Sequence, residues 1–412
     1  MRSFRVLVAP GDGIGREVIP AALEVLHATG LPLDFMLAEA GWECFQRHGT
    51  SLADETLSAA RAADAVLFGA VSSPSHPVAG YRSPIVGLRR ALDLYANIRP
   101  VVGLQIADCK FQIKQNQSIY NLQSAICNLV VVRENTEDLY TGQETSDGET
   151  AVAQRVITRK ASERIARVAF ELARSRHEAR DLRLEASESL PVSSLKPQAP
   201  KVTIVHKANV LRETCGLFRA AALHVAEQYP DVAVDEQLVD SAALQLVQRP
   251  ERFDVIVTTN MFGDILSDVA SHWCGGLGLA TSANIGDKHA LFEPVHGSAP
   301  DIAGKGIANP LAAIGCAAML LDRLANCRLQ SCPEPSQRIA DCTLPGNTQV
   351  LSGGEQSPSA RDSMGNECQI WANRIRSGIQ TVLTYGPHTP DLGGSAHTEE
   401  ITTAVISTMT TM

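Results

Sequence analysis

The stretch that decides the fold is Glu251 to Asp268, ERFDVIVTTNMFGDILSD. Its run Asp254-Val255-Ile256-Val257-Thr258 is apolar and β-branched, which predicts a buried, parallel strand. Thr259-Asn260-Met261-Phe262-Gly263 is expected to turn the chain, and Asp264 to Val269 reads as the opening of a helix. Asp264 and Asp268, four apart, would share one helix face. Open α/β sheets hold their ligands just past the C-terminal ends of strands. Two carboxylates converging there suit a hard divalent cation such as Mg2+ or Mn2+. An isolated pair of this kind is more often a solvated helix face. The neighbouring segments must decide between the two readings.

With 412 residues, the chain is long enough for two domains. An apolar fraction of 44% can fill a core, and a net charge of −9 argues against nucleic acid or an anionic membrane as partner. No apolar run reaches the length of a membrane span. Strand-like residues from Arg5 onward leave no room for a signal peptide, so the expected compartment is the cytoplasm, with the mitochondrial matrix as the alternative. The cysteines do not make a disulfide scaffold. Cys44, Cys215, Cys274 and Cys316 lie in apolar patterns, as small core residues do. Cys327, Cys332, Cys342 and Cys368 share an irregular stretch without the tight pair or histidine that a zinc site uses.

Read in order, Phe4 to Ala9 is a strand, followed by Pro10-Gly11-Asp12-Gly13-Ile14-Gly15 and a helix to about Thr29. The glycines are spaced G-x-G-x-G, not G-x-G-x-x-G, so they predict a tight turn and a close backbone approach rather than a dinucleotide fingerprint. Further strands are expected from Leu33 to Ala40, Ala65 to Val71, Leu129 to Val132, Val202 to Val205 and Val232 to Val239. Helices are expected between them, for example from Ile85 to Leu94, Ala161 to Arg176 and Arg212 to Gln228. This alternation predicts an α/β fold with a large sheet. Thr141 to Thr150 is polar and reads as an exposed arm. Glu293 to Pro310 is dense in Gly, Pro and Asp and is a candidate functional loop. Val101 to Asn128, Glu185 to Pro200 and Asn326 to Cys368 lack pattern and read as inserted or replaced segments.

Asp240, Asp264 and Asp268 fall at strand-to-helix junctions, and Tyr140 and Lys207 each follow a strong strand. Arg89, Arg99 and Arg133 add three guanidinium groups, although any single arginine is more often a surface charge. Together this inventory fits a multiply anionic hydroxy acid held on a metal. Arginine forks grip carboxylates, a divalent cation polarises a hydroxyl, and Lys and Tyr move protons.

Gly11-Asp12-Gly13-Ile14-Gly15, Leu88-Arg89-Arg90, Tyr95 to Pro100, Val132 to Glu137, Asn260 to Asp268 and Glu293 to Gly304 resemble, in this order, the metal-dependent decarboxylating dehydrogenases of isocitrate, isopropylmalate and homoisocitrate. The resemblance implies that family's two-domain fold, with a large mixed or parallel sheet flanked by helices and no dinucleotide-type domain. It implies a cofactor domain of residues 1–100 plus 257–412, with 326–368 inserted, and a smaller domain of 101–256 carrying the dimerisation arm. Tyr140 and Lys207 match the catalytic pair, and Ser83, Arg89, Arg99 and Arg133 the substrate-binding residues. Asp240, Asp264 and Asp268 match the metal ligands for Mg2+ or Mn2+. The implied cofactor is NAD, on Asn209, Glu293, His296, Gly297, Ser298, Ala299, Asp301 and Asn309. The implied assembly is a homodimer with shared sites, in which Lys207 and Asp240 enter the partner's cleft.

Ile85 stands two after Ser83, where isocitrate readers carry Asn. This stretch and Glu137-Asp138-Leu139-Tyr140 are most similar to homoisocitrate dehydrogenases of lysine biosynthesis. Isocitrate, isopropylmalate and tartrate are the alternative substrates. The competing class is a non-catalytic regulatory subunit, which should have lost metal or proton-transfer residues. A third reading, an impaired chain, rests on the segment Val101 to Asn128.

Overall fold

The computed structural model describes residues 3–76, 78–103, 127–186, 199–326 and 360–412. Among the described residues, twelve strands run in chain order: β1 Phe4–Gly11, β2 Leu33–Leu37, β3 Ala65–Ala70, β4 Ala96–Val102, β5 Asn128–Glu134, β6 Glu144–Ser146, β7 Ala151–Ala153, β8 Lys201–His206, β9 Ala233–Leu238, β10 Val255–Thr258, β11 Thr281–Ile285 and β12 Ala290–Pro294. Ten of them form one sheet in the order β2-β1-β3-β12-β11-β4-β5-β10-β8-β9.

The sheet has two parallel wings joined by an antiparallel centre. β2, β1, β3 and β12 are parallel, as are β5, β10, β8 and β9. The pairs β12–β11, β11–β4 and β4–β5 between them are antiparallel. The expectation of a large mixed sheet flanked by helices holds, and β10 is the buried parallel strand that its apolar run predicts. β5, β10 and β8 therefore deliver their C-terminal ends, with the residues that follow, to one edge.

Packing follows from strand alternation. In β5, Val130 and Val132 enter the main core with Ile204, Val255 and Val257. Leu129 and Val131 face the other way, onto a second core with Leu246, Leu266 and Trp273. That second core seats the helices Val239–Gln248 and Asn260–Ser271. The helix Leu311–Asn326 is buried from Leu311 to Leu324, which its run of Ala, Gly and Leu allows. Cys44, Cys215, Cys274 and Cys316 are buried, as expected. No helix among the described residues is long and apolar enough to cross a membrane.

Several expectations need correction. Strands β4 and β11 are not marked by apolar runs in the sequence, because Asn97, Arg99, Ser282 and Asn284 interrupt them. All four polar residues are buried. The helix carrying Asp264 begins at Asn260, so Asn260 to Gly263 is its first turn rather than a separate loop. A helix covers Ala360–Tyr385, with Met364 and Cys368 in the main core, so the last part of the supposed insertion to Cys368 belongs to the body of the fold. The helix Arg159–Ala186 runs ten residues past the expected end at Arg176. The bulk of the three unpatterned segments, with Cys327, Cys332 and Cys342, lies outside the described residues. The sheet runs without a break from β4 through β5 to β10.

The glycine turn makes the close approach that its spacing predicts. Gly13 has φ +54°, and a Cβ there would stand 2.1 Å from the Ser298 carbonyl oxygen. The Ile14 N–H donates to that same oxygen at 2.9 Å. Gly263 makes a similar close approach to Arg133. A Cβ at Gly263 would lie 2.6 Å from both Cβ and Cγ of Arg133. Gly263→Ala is thus expected to cost about 1–3 kcal/mol through overpacking. Scanning calorimetry should show a lower Tm, and an unchanged Tm would mean that the contact has room to relax.

Candidate active site

The helix Asn260–Ser271 buries Phe262, Leu266 and Ala270 and turns Asp264 and Asp268 outward. Its N-cap residue Thr259 makes no side-chain cap bond. The Met261 N–H is satisfied instead by Asp138 Oδ2 at 3.1 Å. Asn260 reaches back from the first turn, and its Oδ1 accepts from Arg133 Nε at 2.9 Å. The helix is thereby docked on the strand that carries Arg133.

Arg99 lies in the middle of β4 and Arg133 near the end of β5, both buried. Arg99 donates from Nε to Asn97 Oδ1 at 2.9 Å, and from Nη1 to Ser267 Oγ at 2.7 Å and Asp268 Oδ1 at 3.2 Å. Its Nη2 reaches Asp264 Oδ1 at 3.3 Å. Arg133 Nη1 donates to that same Asp264 oxygen. The Tyr140 hydroxyl donates to Asp264 Oδ2, and the Arg133 guanidinium lies 5.0 Å from the centre of the Tyr140 ring. Three donors thus end on one carboxylate.

Behind them lies an amide layer. Arg89 Nη2 donates to Glu293 Oε1 at 2.8 Å, and Asn284 Nδ2 donates to the same oxygen at 2.8 Å. Asn97 Nδ2 and Asn135 Nδ2 both reach Asn284 Oδ1, at 2.7 and 2.9 Å. Arg89 Nε is buried without a partner. An unmet buried donor is costly, and a carboxylate ligand would satisfy it.

Electrostatics follows this geometry. Burial would raise the Asp264 carboxyl, but Arg133, Arg99 and Tyr140 outweigh it and hold it below its ordinary value. At Asp268 desolvation wins over Arg99, and with the Asp264 charge alongside it leaves that carboxyl raised. The Asp268 side chain keeps 55% of its surface open to solvent, so the shift is screened. The Tyr140 phenol is raised, first by burial; Arg133 pulls it down and the bond to Asp264 pushes it up again.

The expected residues divide into three groups. Arg99, Arg133, Tyr140, Asp264 and Asp268 converge, and Arg89 joins them through the Glu293–Asn284 layer. Ser83 stands half-buried just before the Pro84–Ala91 helix that carries Arg89. Lys207 and Asp240 form a pair of their own, Nζ to Oδ1 at 2.5 Å, and Asp240 is 66% exposed. Within one chain, then, two of the three aspartates converge. No group of three metal-binding side chains forms among the described residues. Asn209 lies exposed in the turn after Lys207.

The loop residues His296, Ser298 and Asn309 are buried, and Ala299 has φ +39°. His296 Nε2 is buried with no partner, and burial holds the imidazole below its usual value. Asn309 Nδ2 donates to Asp391 Oδ2 at 3.1 Å. Asp301 is exposed. Sequence reasoning missed Asn97, Asn135, Asn260, Ser267, Ser282 and Asn284, whose partners come from distant segments. It also missed Asp12, whose buried carboxylate accepts from the N–H groups of Trp42, Glu43 and Ser72 at 2.8, 3.0 and 2.9 Å.

The all-oxygen pair of Asp264 and Asp268, one turn apart, fits a small divalent cation completed by substrate and water oxygens. Mg2+ is commonly bound by one or two carboxylates in this way.

A family model for isocitrate/isopropylmalate dehydrogenase matches residues 5–331. The chain is 45% identical over 407 residues to an isocitrate/homoisocitrate dehydrogenase of Thermus thermophilus, covering 99% of each. It is 49% identical over 320 residues to a homoisocitrate dehydrogenase of Methanocaldococcus jannaschii, covering 77% of this chain and 85% of that one. The crystal structure of isocitrate dehydrogenase from Methylococcus capsulatus superposes with a TM-score of 0.74 at 36% identity, covering 98% and 99% of the two chains.

A carboxyl raised in the folded state contributes stability that is lost as pH rises through its folded value. Near neutral pH, Asp268→Asn should therefore leave the metal-free protein with an equal or higher Tm. Mg2+ or Mn2+ should raise the Tm of the unaltered chain and not that of the variant. A metal-induced rise that survives Asp268→Asn would remove Asp268 from the metal site.

Proposed function

The chain belongs to the isocitrate/isopropylmalate dehydrogenase family, and on that premise we propose that it oxidatively decarboxylates homoisocitrate to 2-oxoadipate with NAD, a step of lysine biosynthesis. The observation that carries the reading is the convergence of Arg99, Arg133 and Tyr140 on the single carboxylate of Asp264. Bound Mg2+ or Mn2+ would supply Lewis-acid polarisation of the substrate hydroxyl, and NAD would accept the hydride. Asp264 and Asp268 would hold the metal.

Arg99 and Arg133 are buried donors that share the Asp264 carboxylate as an acceptor, and a substrate carboxylate would take bonds of the same kind. Arg89, with its unpaired Nε, fits the remaining carboxylate. A base must remove the hydroxyl proton as hydride departs, and Lys207 is the candidate. Because Lys207 pairs with Asp240 apart from the Asp264 group, the reading assigns both to the cleft of a second copy, in a homodimer with shared sites. Loss of CO2 leaves an enolate, and Tyr140, hydrogen-bonded beside Asp264, donates the proton that completes the product.

The substrate choice rests on Ser83 and Ile85, both half-buried at the start of the Pro84–Ala91 helix. Ile85 offers an apolar wall to a longer chain, and Ser83 keeps one hydroxyl for its far end. Isocitrate, one methylene shorter, should be a poorer substrate by about 1–3 kcal/mol in kcat/KM. Steady-state assays on homoisocitrate, isocitrate, isopropylmalate and tartrate with Mg2+ or Mn2+ check this. A highest kcat/KM for isopropylmalate would overturn the substrate assignment, and full activity in excess chelator would overturn the metal role.

The NAD preference rests on Asp301, an exposed residue in the turn after Ala299. A carboxylate can accept from ribose hydroxyls and would repel a 2′-phosphate. The preference for NAD over NADP should be on the order of a hundredfold or more. Asp301→Lys with Ile302→Tyr should shift it towards NADP while metal dependence stays. Equal kcat/KM for NAD and NADP in the unaltered enzyme would refute the role of Asp301.

A further inference from the structure

A buried ion pair at the root of the β6–β7 hairpin plays no part in the chemistry above. Asp138, two residues before Tyr140, is fully buried and has φ +70°, an uncommon backbone for a residue with a side chain. Arg155, two residues after the end of β7, donates to Asp138 Oδ1 from Nε at 2.6 Å and to Oδ2 from Nη2 at 3.1 Å. Asp138 also accepts from the N–H of Leu139 at 2.9 Å, which orients the turn Leu139–Thr141 holding Tyr140. Its other oxygen accepts from the Met261 N–H in the first turn of the Asp264 helix at 3.1 Å.

Arg155 binds the same helix twice more. Nη2 donates to Thr259 Oγ1 at 2.7 Å, and the guanidinium lies 4.7 Å from the centre of the Phe262 ring. Its Nη1 reaches Cys215 Sγ at 3.0 Å, on the helix Thr214–Ala226. Closing a hairpin needs only the Asp138–Arg155 bonds and the backbone bridge from the Asp138 N–H to the Val156 carbonyl. The bonds to Met261 and Thr259 serve the helix instead. A strained, fully buried aspartate persists only where its surroundings over-determine it.

We propose that Asp138 and Arg155 are positioning residues that fix the Tyr140 hydroxyl against Asp264, by joining the tyrosine turn to the first turn of the aspartate helix, and so govern proton donation rather than substrate affinity. Asn260 strengthens the same joint, its Nδ2 donating to the Glu137 carbonyl at 3.1 Å. From the far side Arg90 Nη2 donates to the Tyr140 carbonyl at 2.6 Å. The tyrosine turn is thus held at both ends, and the ion pair sets its distance from the helix.

The kinetic consequence rests on the reading under Proposed function; the positioning itself does not. Two variants of the full chain test it. Thr259→Val is nearly isosteric and removes the hydroxyl that accepts from Arg155 and also reaches the Asp138 carboxylate. Arg155→Lys keeps a charge for Asp138 but loses the fork. The chain is labelled with 13C at tyrosine Cζ, and Tyr140→Phe assigns the Tyr140 resonance. In both variants this resonance should move towards the position of a solvent-exposed tyrosine. In turnover of the hydroxy acid, kcat should fall about 10- to 100-fold with KM within about twofold. An unmoved resonance in both variants, or a loss carried by KM, would overturn the proposal. If the unaltered enzyme turned over none of the hydroxy acids, the function reading would fall while the resonance still decided the positioning role.

Discussion

One carboxylate governs the cleft. Asp264 accepts from Arg133, Arg99 and Tyr140, and among the described residues no other group accepts from all three. Arg133 is only 1% exposed, and burying a guanidinium without an acceptor would cost several kcal/mol. Asp264 therefore permits the arginines to sit inside the sheet, and they in turn keep its charge. The consequence is a pocket already organised for negative oxygen. An anionic ligand would exchange one carboxylate for another and would not have to create the order itself.

The sheet explains why this carboxylate can be reached from so many sides. Its antiparallel centre brings Arg99 on β4 beside Arg133 on β5, with Asn97 opposite Arg133 in register. It also sets Asn284 of β11 opposite Asn97, and Glu293 of β12 opposite Ser282. Polar side chains on neighbouring strands then hydrogen-bond one another directly, as a buried polar layer requires. An entirely parallel sheet, buried on both faces by apolar runs, would offer no comparable row.

Legibility in the sequence followed the same division. The wings were readable because β1, β3, β5, β8 and β10 are apolar runs that continue to be buried on both faces. The centre was not, since β4, β11 and β12 mix Asn, Ser, Arg and Glu into short strands. Their polar residues have partners only after distant segments meet, as Asn97 does with Asn284. Local sequence rules fail where function adds other demands. The individual groups Arg99, Arg133, Tyr140, Asp264 and Asp268 were legible from position after strands and from motif resemblance. Their supports were not: Asp138 and Arg155 are separated by the whole hairpin, and nothing in either local sequence marks the other. Nor could spacing alone foretell that Lys207 would pair with Asp240 away from the Asp264 group.

The strand order also bears on how the chain is made. β3 is complete at Ala70, but its outer neighbour is β12, with Val66 opposite Leu291 and Leu67 opposite Phe292. During synthesis from the N-terminus, the open edge of β3 must wait for more than two hundred further residues to emerge. At typical translation speeds that interval is roughly 10 to 45 seconds. Throughout it a strand of Ala65, Val66, Leu67 and Phe68 presents unpaired backbone and apolar side chains, the combination that invites wrong pairing. The same topology that assembles the cleft from both ends of the chain thus leaves the nascent protein with a long interval in which that edge is open to wrong pairing.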